Sequence, residues 1–323
     1  MPMLEEVVLQ RYLSARYPLV VLLVGILLLL SVGLVRAEVH RLEVKKEIKP
    51  GAEETFSRTD QQKALSRAIL REAERILSGS LPEARKEVIR EFLLQKVQDF
   101  VLSYSEKRYL DGEDTAVLGL EVRVNTQAVK ELLKKWGTYY TAKREWTYRL
   151  ELNGELDNEA ELRLADLESV SGLRRDSMAR FPVFRIRPPE NKEGRWEGTL
   201  RQDGEETVYT GESLKDLWLK TWSDYFAQRE VRLQVERVMR LAASGWSTST
   251  GIRHFDNTLQ GWSTRLDRAV LGSIDFEPGE ISGIWTVYTL TPEELRSRLQ
   301  SYMPSHGLDF RLKLVSVSPS RTD

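Results

Sequence analysis

The sequence predicts an α+β protein in which an N-terminal transmembrane or signal-anchor helix precedes two to three small tandem α+β modules. Three observations predict this class. One long uncharged apolar stretch lies near the N-terminus, helical and strand periodicities alternate along the rest of the chain, and Gly- or Pro-containing turns separate them. The length of 323 residues also indicates about two domains or more.

The apolar stretch runs from Pro18 to Val35 and contains no charged residue. A helix of these 18 residues spans roughly 27 Å, enough for the hydrocarbon core of a bilayer. Because every face of this helix is apolar, insertion into a membrane is favoured over burial in a soluble core. We therefore predict a tail at 1–17, a membrane helix at 18–35 and a tether at 36–56, with a short strand at Val39–Val44 as an alternative for part of the tether.

Cleavage and orientation each have two interpretations. Val35-Arg36-Ala37 has the small-x-small order of a signal cleavage site, so cleavage after Ala37 to give a soluble periplasmic protein is an alternative to an anchor. The length of the apolar stretch favours an uncleaved anchor. Basic residues are more numerous after the stretch than before it, which by itself places the C-terminal part in the cytoplasm. Long domains translocate largely regardless of such charges, and we predict a single-pass protein of the bacterial inner membrane with its large C-terminal part in the periplasm.

Three modules are predicted after the tether, at 57–140, 145–228 and 229–318, with a short tail at 319–323. Hydrophobic periodicity and helix-start and helix-stop signals define their elements. In the first two modules these are helices at 65–77 and 82–97, strands at 100–109 and 118–124, a helix at 129–136, a strand at 146–152, a helix at 162–170, strands at 183–187 and 195–202, and a helix at 214–225.

The third module is predicted to be ferredoxin-like. A strand at Val231–Val235, a helix at 251–262, strands at 269–276 and 281–290, a helix from Thr291 and a strand at 310–314 give the β-α-β-β-α-β order of the split βαβ unit. The strand at 281–290 is apolar or β-branched on both parities, which predicts a place in the middle of the sheet. Thr291 is the predicted N-cap of the last helix.

Composition excludes several kinds of chemistry. The chain has 48 basic and 49 acidic residues, so no nucleic-acid footprint is expected, and it has no cysteine for thiol catalysis or metal thiolates. Three histidines lie far apart in the sequence, and no phosphate-binding or dinucleotide motif occurs. We therefore predict no catalytic residue, no metal site and no cofactor. A carboxylate- or serine-dependent hydrolase, for which the serines of 245–251 with His254 are the nearest pattern, remains an alternative.

Aromatic residues are the candidates for a binding role. Trp218, Trp222 and Tyr225 fall on one face of a predicted helix and, with Trp246, are candidate partner-binding residues. A stripe of this kind is also typical of a hydrophobic core. If such rings, or that of Trp196, are exposed, they would stack on sugars or enter a lipid interface. A module that binds envelope polysaccharide, peptidoglycan or lipid is therefore the alternative function.

Residues 57–137 carry a resemblance to a known family. They contain the helix ALSRAILREAERI, a second helix, the strands FVLSYSEKRYL and TAVLGLEVRVN, and the helix TQAVKELLKKWG. This pattern resembles the N-terminal α/β domain of flagellar assembly protein T and related exported modules of Gram-negative bacteria. The resemblance implies a periplasmic, assembly-related role. With the anchor, it leads to the predicted function: a membrane-anchored, periplasm-facing, non-enzymatic scaffold or assembly factor of the cell envelope that binds other envelope proteins.

Overall fold

The computed structural model describes residues 37–47, 56–77, 79, 81–94, 96–112, 114–189, 194–262 and 266–315. The predicted tail at 1–17, the membrane helix at 18–35 and the tail at 319–323 lie outside these residues. The chain divides into two compact units, residues 1–36 and 37–323, and the second unit holds all the described residues. Among the described residues, no helix is both long and apolar enough to cross a bilayer. The second unit is a mixed α+β structure with three small sheets.

The first sheet is antiparallel and has three strands in the order β1-β3-β2. Its strands are β1 (Ala37–Glu47), β2 (Val101–Leu110) and β3 (Thr115–Asn125). The central strand β3 alternates as predicted, with Leu118, Leu120, Val122 and Val124 buried in the hydrophobic core. Asp111 and Gly112 form the predicted turn between β2 and β3.

Residues 37–47 of the predicted tether are strand β1, so the alternative short strand at Val39–Val44 is confirmed and is longer than predicted. They pair with β3 along the whole strand, from Ala37 opposite Asn125 to Glu47 opposite Thr115. The buried Leu42 and the partly buried Val44 face the core on alternate positions, which anchors the strand. Arg41, Glu43 and Lys45, which contributed to the prediction of a tether, are exposed on the opposite side of this edge strand.

Five helices accompany this sheet and form one side of its core. They are α1 (Arg58–Leu77), α2 (Glu83–Leu94), α3 (Val97–Phe100), α4 (Thr126–Lys135) and α5 (Thr138–Thr141). The long helix α1 packs on β1 and β3 and buries the apolar positions that its periodicity predicted, including Leu65, Ile69 and Ile76. Gly137 ends α4 at a positive φ of 79°, as its position in the sequence predicts.

The second sheet has five strands in the order β5-β4-β6-β7-β8. Its elements are β4 (Trp146–Leu152), α6 (Asn158–Ser171), β5 (Leu173–Arg175), β6 (Val183–Arg187), β7 (Trp196–Gln202), β8 (Glu205–Gly211), α7 (Leu214–Ala227) and α8 (Arg229–Val235). β4 is parallel to β5 and β6, and the other pairs are antiparallel. The predictions of β4, β6, β7, α6 and α7 are confirmed, whereas β5 and β8 were not predicted.

The third sheet is antiparallel, with four strands in the order β10-β11-β9-β12. Its elements are β9 (Arg237–Trp246), α9 (Ser249–Gln260), β10 (Arg268–Glu277), β11 (Glu280–Thr289), α10 (Pro292–Ser305) and β12 (Asp309–Leu314). The predicted element order is confirmed. The central position predicted for the strand at 281–290 is confirmed too, because β11 pairs with β10 on one side and β9 on the other.

Two details of the third module are corrected. The predicted strand at Val231–Val235 is helix α8, and the first strand begins at Arg237. Val231 and Val235 are four residues apart, so a helix turns both toward the first core, where they pack. Thr291 precedes α10 as predicted, but its side chain makes no capping hydrogen bond.

Buried apolar residues form two clusters in the described residues. The first cluster runs from Leu42 to Val231 and includes residues of both predicted modules at 57–140 and 145–228. The second cluster runs from Met239 to Leu312. The predicted division between 140 and 145 therefore lies inside one core, whereas the division at 229 lies close to the change from one core to the other.

Candidate interaction surface

The four candidate partner-binding residues lie in the cores. Trp218 and Trp222 are fully buried, and Tyr225 and Trp246 are 3% and 7% exposed. Trp222 packs edge-on against Tyr148, at a centroid distance of 5.3 Å. A surface partner does not reach these rings, so the core interpretation replaces the partner-binding one. Trp196 is half-buried against the first cluster.

In the third module, an aromatic cluster fixes the sheet against its helices. Trp285 on β11 lies 5.2 Å from Phe255 and 5.9 Å from Trp246 between ring centroids, and its Nε1 donates to Asp256 Oδ1 at 2.9 Å. Gly283 leaves room for this ring, because a Cβ at that position would lie 2.5 Å from Trp285 Cη2. All the packing of the second cluster therefore lies on one face of the sheet, the face that α9 and α10 cover.

The opposite face of this sheet, the open face, carries alternate residues of all four strands. None of its members belongs to either hydrophobic cluster. The register arranges them in rows across the sheet in the order β10, β11, β9 and β12. The first row contains Arg268, Tyr288 and Val238, and the second contains Val270, Thr286, Arg240 and Lys313. The third row contains Ser273, Ile284, Ala242 and Arg311, and the fourth contains Asp275, Ser282, Ser244 and Asp309.

Basic residues dominate the first three rows of the open face. Arg240, Arg311 and Lys313 are exposed on adjacent strands, and no described carboxylate lies within ion-pair distance of them. Arg268 is exposed as well, and its guanidinium lies 3.9 Å from the centre of the Tyr288 ring. Arg240, Arg311 and Lys313 therefore have no ion-pair partner among the described residues, whereas the charge of Arg268 also acts on the buried Glu236 carboxyl.

Apolar and acidic groups complete the open face. Val270 is 48% exposed, and Ile284 and Ala242 are half-buried in the middle of the face. The two acidic residues, Asp275 and Asp309, lie at opposite ends of the last row, on the edge strands β10 and β12, and this row is the farthest from Arg268. The open face thus has basic residues in its first three rows, apolar residues at its centre and acidic residues at both ends of its last row.

A buried charged cluster connects the base of the third module to the first core. Lys130 and Lys134 on α4 reach across to Asp267, just before β10: Lys134 Nζ lies 2.6 Å and Lys130 Nζ 3.5 Å from Asp267 Oδ1. Lys130 Nζ also donates to the carbonyl of Leu266 at 2.5 Å. Burial lowers the pKa of Lys130 to about 8, although Asp267 partly offsets this. Burial next to Asp267 raises the pKa of Glu236 to about 7.

A second buried carboxylate, Glu72, holds the first sheet. Its Oε1 accepts hydrogen bonds from Thr126 and Arg75, both at 2.6 Å, and its Oε2 lies 3.1 Å from His40 Nε2 on β1. Burial alone would raise the pKa of this carboxyl, but these hydrogen bonds outweigh it and lower the pKa to about 2. These contacts join β1, α1 and α4, so the cluster has a structural role.

The described residues contain no group of three or more histidine, aspartate or glutamate side chains that could hold a metal ion. His254 is exposed on α9, and the preceding serine-rich stretch leads into that helix. His306 ends α10, with its Nδ1 2.8 Å from the Tyr302 carbonyl and its ring stacked on Tyr302. His306 therefore lies at the C-cap of this helix, where a basic side chain suits the helix dipole.

The sequence analysis did not identify the open face, although the sequence of the last strand indicates part of it. Arg311 and Lys313 alternate with apolar residues in the last strand, which indicates one wet side. That Arg240 lies beside Lys313 follows only from the register of β9 and β12.

Comparisons with known proteins add little. No protein-family model matches the chain, and no curated protein matches it. An unknown protein from Galdieria sulphuraria of known structure is similar at 11% identity, covering 87% of this chain and 99% of that one, with a TM-score of 0.20. A similarity at this level does not establish a shared fold. The comparisons lend no support to the resemblance of residues 57–137 to flagellar assembly protein T, which stays a prediction.

Proposed function

We propose that this chain is a non-enzymatic scaffold or assembly factor of the bacterial cell envelope. In this proposal residues 18–35 anchor it in the inner membrane, residues from 37 onward lie in the periplasm, and residues 237–315 act as a ferredoxin-like binding module. The single observation that carries the binding role is the open face, with its unpaired cations around an apolar centre. Exposed charges of one sign steer an oppositely charged partner and select it.

An acidic protein surface is the partner that the face fits best. A single-stranded nucleic acid needs bare aromatic rings on which its bases stack, and the one aromatic ring of the face, Tyr288, is already covered by Arg268. Asp275 and Asp309 would repel a polyphosphate or an anionic membrane laid across the whole face. A protein surface, in contrast, can present carboxylates to the basic rows and basic residues to the acidic ends of the last row.

Co-purification from mildly solubilised membranes tests the proposal. The full-length chain carrying Arg240→Glu, Arg311→Glu and Lys313→Glu is compared with the unaltered chain and with a control carrying Arg253→Glu and Arg296→Glu. The control arginines are exposed on α9 and α10, on the other side of the same module. We expect at least one acidic envelope protein to decrease about tenfold or more with the open-face variant and to be retained with the control.

Other outcomes of the co-purification would contradict the proposal or change the kind of partner. Loss of the same proteins from both variants, or from neither, would contradict binding through the open face. Selective loss of RNA or of anionic lipid, with no protein affected, would replace the protein partner with that ligand. Hydrogen–deuterium exchange on each variant confirms that the module remains folded, so that a loss of binding is not a loss of structure.

A further inference from the structure

Strand β2 (Val101–Leu110) is an edge strand with both faces in contact with solvent. It pairs with β3 on one side, and no strand of the described residues pairs with its other side. All of its residues except Val101 are exposed, although alternate residues of a strand point to opposite faces. This exposure arises because α1 packs mainly on β1 and β3, the other two strands of the sheet.

The outer edge of β2 offers backbone hydrogen-bonding groups at every second residue. Asp111 N donates to Thr115 O at 2.8 Å, so these two opposite residues form a hydrogen-bonded pair. Since such pairs alternate along an antiparallel ladder, the odd-numbered residues from 103 to 109 bond to β3. The backbone groups of the even-numbered residues therefore point outward, and these residues are Tyr104, Glu106, Arg108 and Leu110. An exposed edge of this kind is a template for a further strand.

The side chains of these four residues lie on one face of the sheet, with an anion next to a cation. Arg108 Nε donates to Glu106 Oε1 at 2.7 Å, and Gln61 Nε2 on α1 donates to Glu106 Oε2 at 3.0 Å. These bonds hold the two charges in place along the strand. Tyr104 and Leu110 flank them and are 43% and 54% exposed. The outer edge therefore has the order aromatic, anion, cation, aliphatic.

We propose that β2 pairs with β2 of a second copy of this chain, antiparallel, about a two-fold axis at Lys107. In this register Glu106 of each copy lies opposite Arg108 of the other, and Tyr104 lies opposite Leu110. The four charges form a square in which each has an opposite charge beside it on its own strand and another across the boundary. All these residues have outward-pointing backbone groups, so the side chains and the main chain match in the same register. The two three-stranded sheets become one continuous sheet.

Charge selects this register over its neighbours. A shift of two residues in one direction puts Glu106 opposite its own copy, and a shift in the other direction puts Arg108 opposite its own copy. A shift of one residue sets outward-pointing backbone groups against inward-pointing ones, so hydrogen bonds are lost. Lys107 meets its own copy on the other face, but its ammonium lies 6.0 Å from the centre of the Tyr109 ring, which is turned inward to Glu43 on β1.

Disulfide cross-linking of the full chain in detergent micelles tests the pairing, because the chain has no cysteine of its own. Lys107→Cys places one thiol at the proposed axis, in a non-hydrogen-bonded pair whose Cα atoms lie about 4.5 Å apart, within the range of a disulfide. The control is Thr207→Cys on β8, an exposed edge strand that has two acidic residues and no basic one. Under mild oxidation we expect about tenfold more covalent dimer from Lys107→Cys than from Thr207→Cys.

Charge exchange separates this pairing from association through another surface. Added to Lys107→Cys, Glu106→Arg sets like charges opposite each other twice and should lower the yield of covalent dimer about tenfold. Adding Arg108→Glu as well exchanges the two charges and restores the square, so the yield should recover. Recovery by a second charge change is not expected if the first had only damaged the fold.

Two results would overturn the proposal. One is an equal yield of covalent dimer from Lys107→Cys and Thr207→Cys, and the other is a charge exchange that gives no more dimer than Glu106→Arg alone. The pairing uses the three-stranded sheet and is measured on the purified chain without an envelope partner. It and the proposed binding through the open face can therefore fail separately.

Discussion

The five-stranded sheet and the four-stranded sheet each carry arginines on the face turned away from their hydrophobic cluster, but these arginines have different surroundings. On the five-stranded sheet, Glu151 lies 2.9 Å from Arg185, 3.1 Å from Arg149 and 3.9 Å from Arg201. On the four-stranded sheet, Arg240, Arg311 and Lys313 of the open face have no carboxylate of the described residues within ion-pair distance. On the five-stranded sheet, Glu151 already neutralises part of the basic charge, so an acidic partner would add little. On the open face no such ion pair exists, so an acidic partner can form one.

Removing the ring that holds the four-stranded sheet should have the largest effect. Trp285→Ala should lower the free energy of unfolding of the third module by about 3–5 kcal/mol, because a fully buried aromatic ring and its contacts are lost. Hydrogen exchange of the full chain should accelerate across residues 237–315 and stay unchanged in β4 and β6. Acceleration of both sheets alike would show that the two cores unfold as one.

Because of the buried Glu236, the free energy of unfolding of the described chain should decrease as pH rises. Its pKa of about 7 in the folded chain lies above 4.5, the usual pKa of a glutamate in an unfolded chain. The folded state therefore holds the extra proton between these values, and its stabilisation, complete below about pH 4.5, is lost as pH rises through about 7. Asp267 faces this carboxyl and opposes its ionisation, whereas Arg232, Lys134 and Arg268 favour it.

Glu236→Gln should remove that loss. Urea unfolding of the full chain at about pH 5 and about pH 8 should give a smaller decline for the variant, by on the order of 2 kcal/mol. Glu72→Gln is the comparison of opposite sign, because the folded pKa of Glu72 is lowered to about 2 and its contribution is lost as pH falls below about 4.5. An unaltered decline in Glu236→Gln would assign the pH dependence to another group.

Placing a carboxylate on the open face should make it resemble the five-stranded sheet. Thr286 lies opposite Arg240, so Thr286→Glu supplies the missing counter-charge. We expect capture of the acidic partner to decrease about tenfold, or about 1.4 kcal/mol, with little change in stability. The control is Thr199→Glu, which adds the same charge opposite Arg185 on the five-stranded sheet. Equal effects of the two changes would mean that total charge, not the open face, controls binding.

The converse change on the five-stranded sheet should have the smallest effect on stability. Glu151→Gln leaves Arg149, Arg185 and Arg201 without this counter-charge, yet surface ion pairs contribute only about 0–1 kcal/mol. The variant should instead elute from a sulfated-polysaccharide column at higher salt than Glu121→Gln, which frees only Arg41. Identical elution would show that the arginines of this sheet find other partners.

Most helices and strands are predictable from hydrophobic periodicity and turn residues. The elements that were predicted wrongly can be traced to particular residues. The elements of the third module follow from alternation and turn residues, and its order is confirmed. Val231–Val235 alternates like a strand but folds as a helix, since its apolar positions pack on the first core. β8 was missed because it has few apolar residues, and β1 was predicted only as an alternative short strand at Val39–Val44 because its charges hide the alternation of Leu42 and Val44.

The candidate surface was less predictable than the fold. Aromatic residues drew attention to Trp218 and Trp222, but a sequence does not tell whether a neighbouring helix covers a stripe. The open face depends on which residues lie opposite each other on four strands, and only register supplies that. For the same reason the sequence gives no means of distinguishing the paired Arg185 from the unpaired Arg240.

Strand β1 gives the molecule a mechanical property. It begins at Ala37, directly after the proposed anchor, and its eleven residues pair with β3 along their full length. A pull on Ala37 along the strand axis loads this ladder in shear, so its hydrogen bonds share the force instead of opening one at a time. Sliding the strand also requires withdrawing Leu42 from the core. In the proposed function, in which residues 18–35 are an anchor and the open face binds a partner, tension between the two meets its first resistance in the three-stranded sheet.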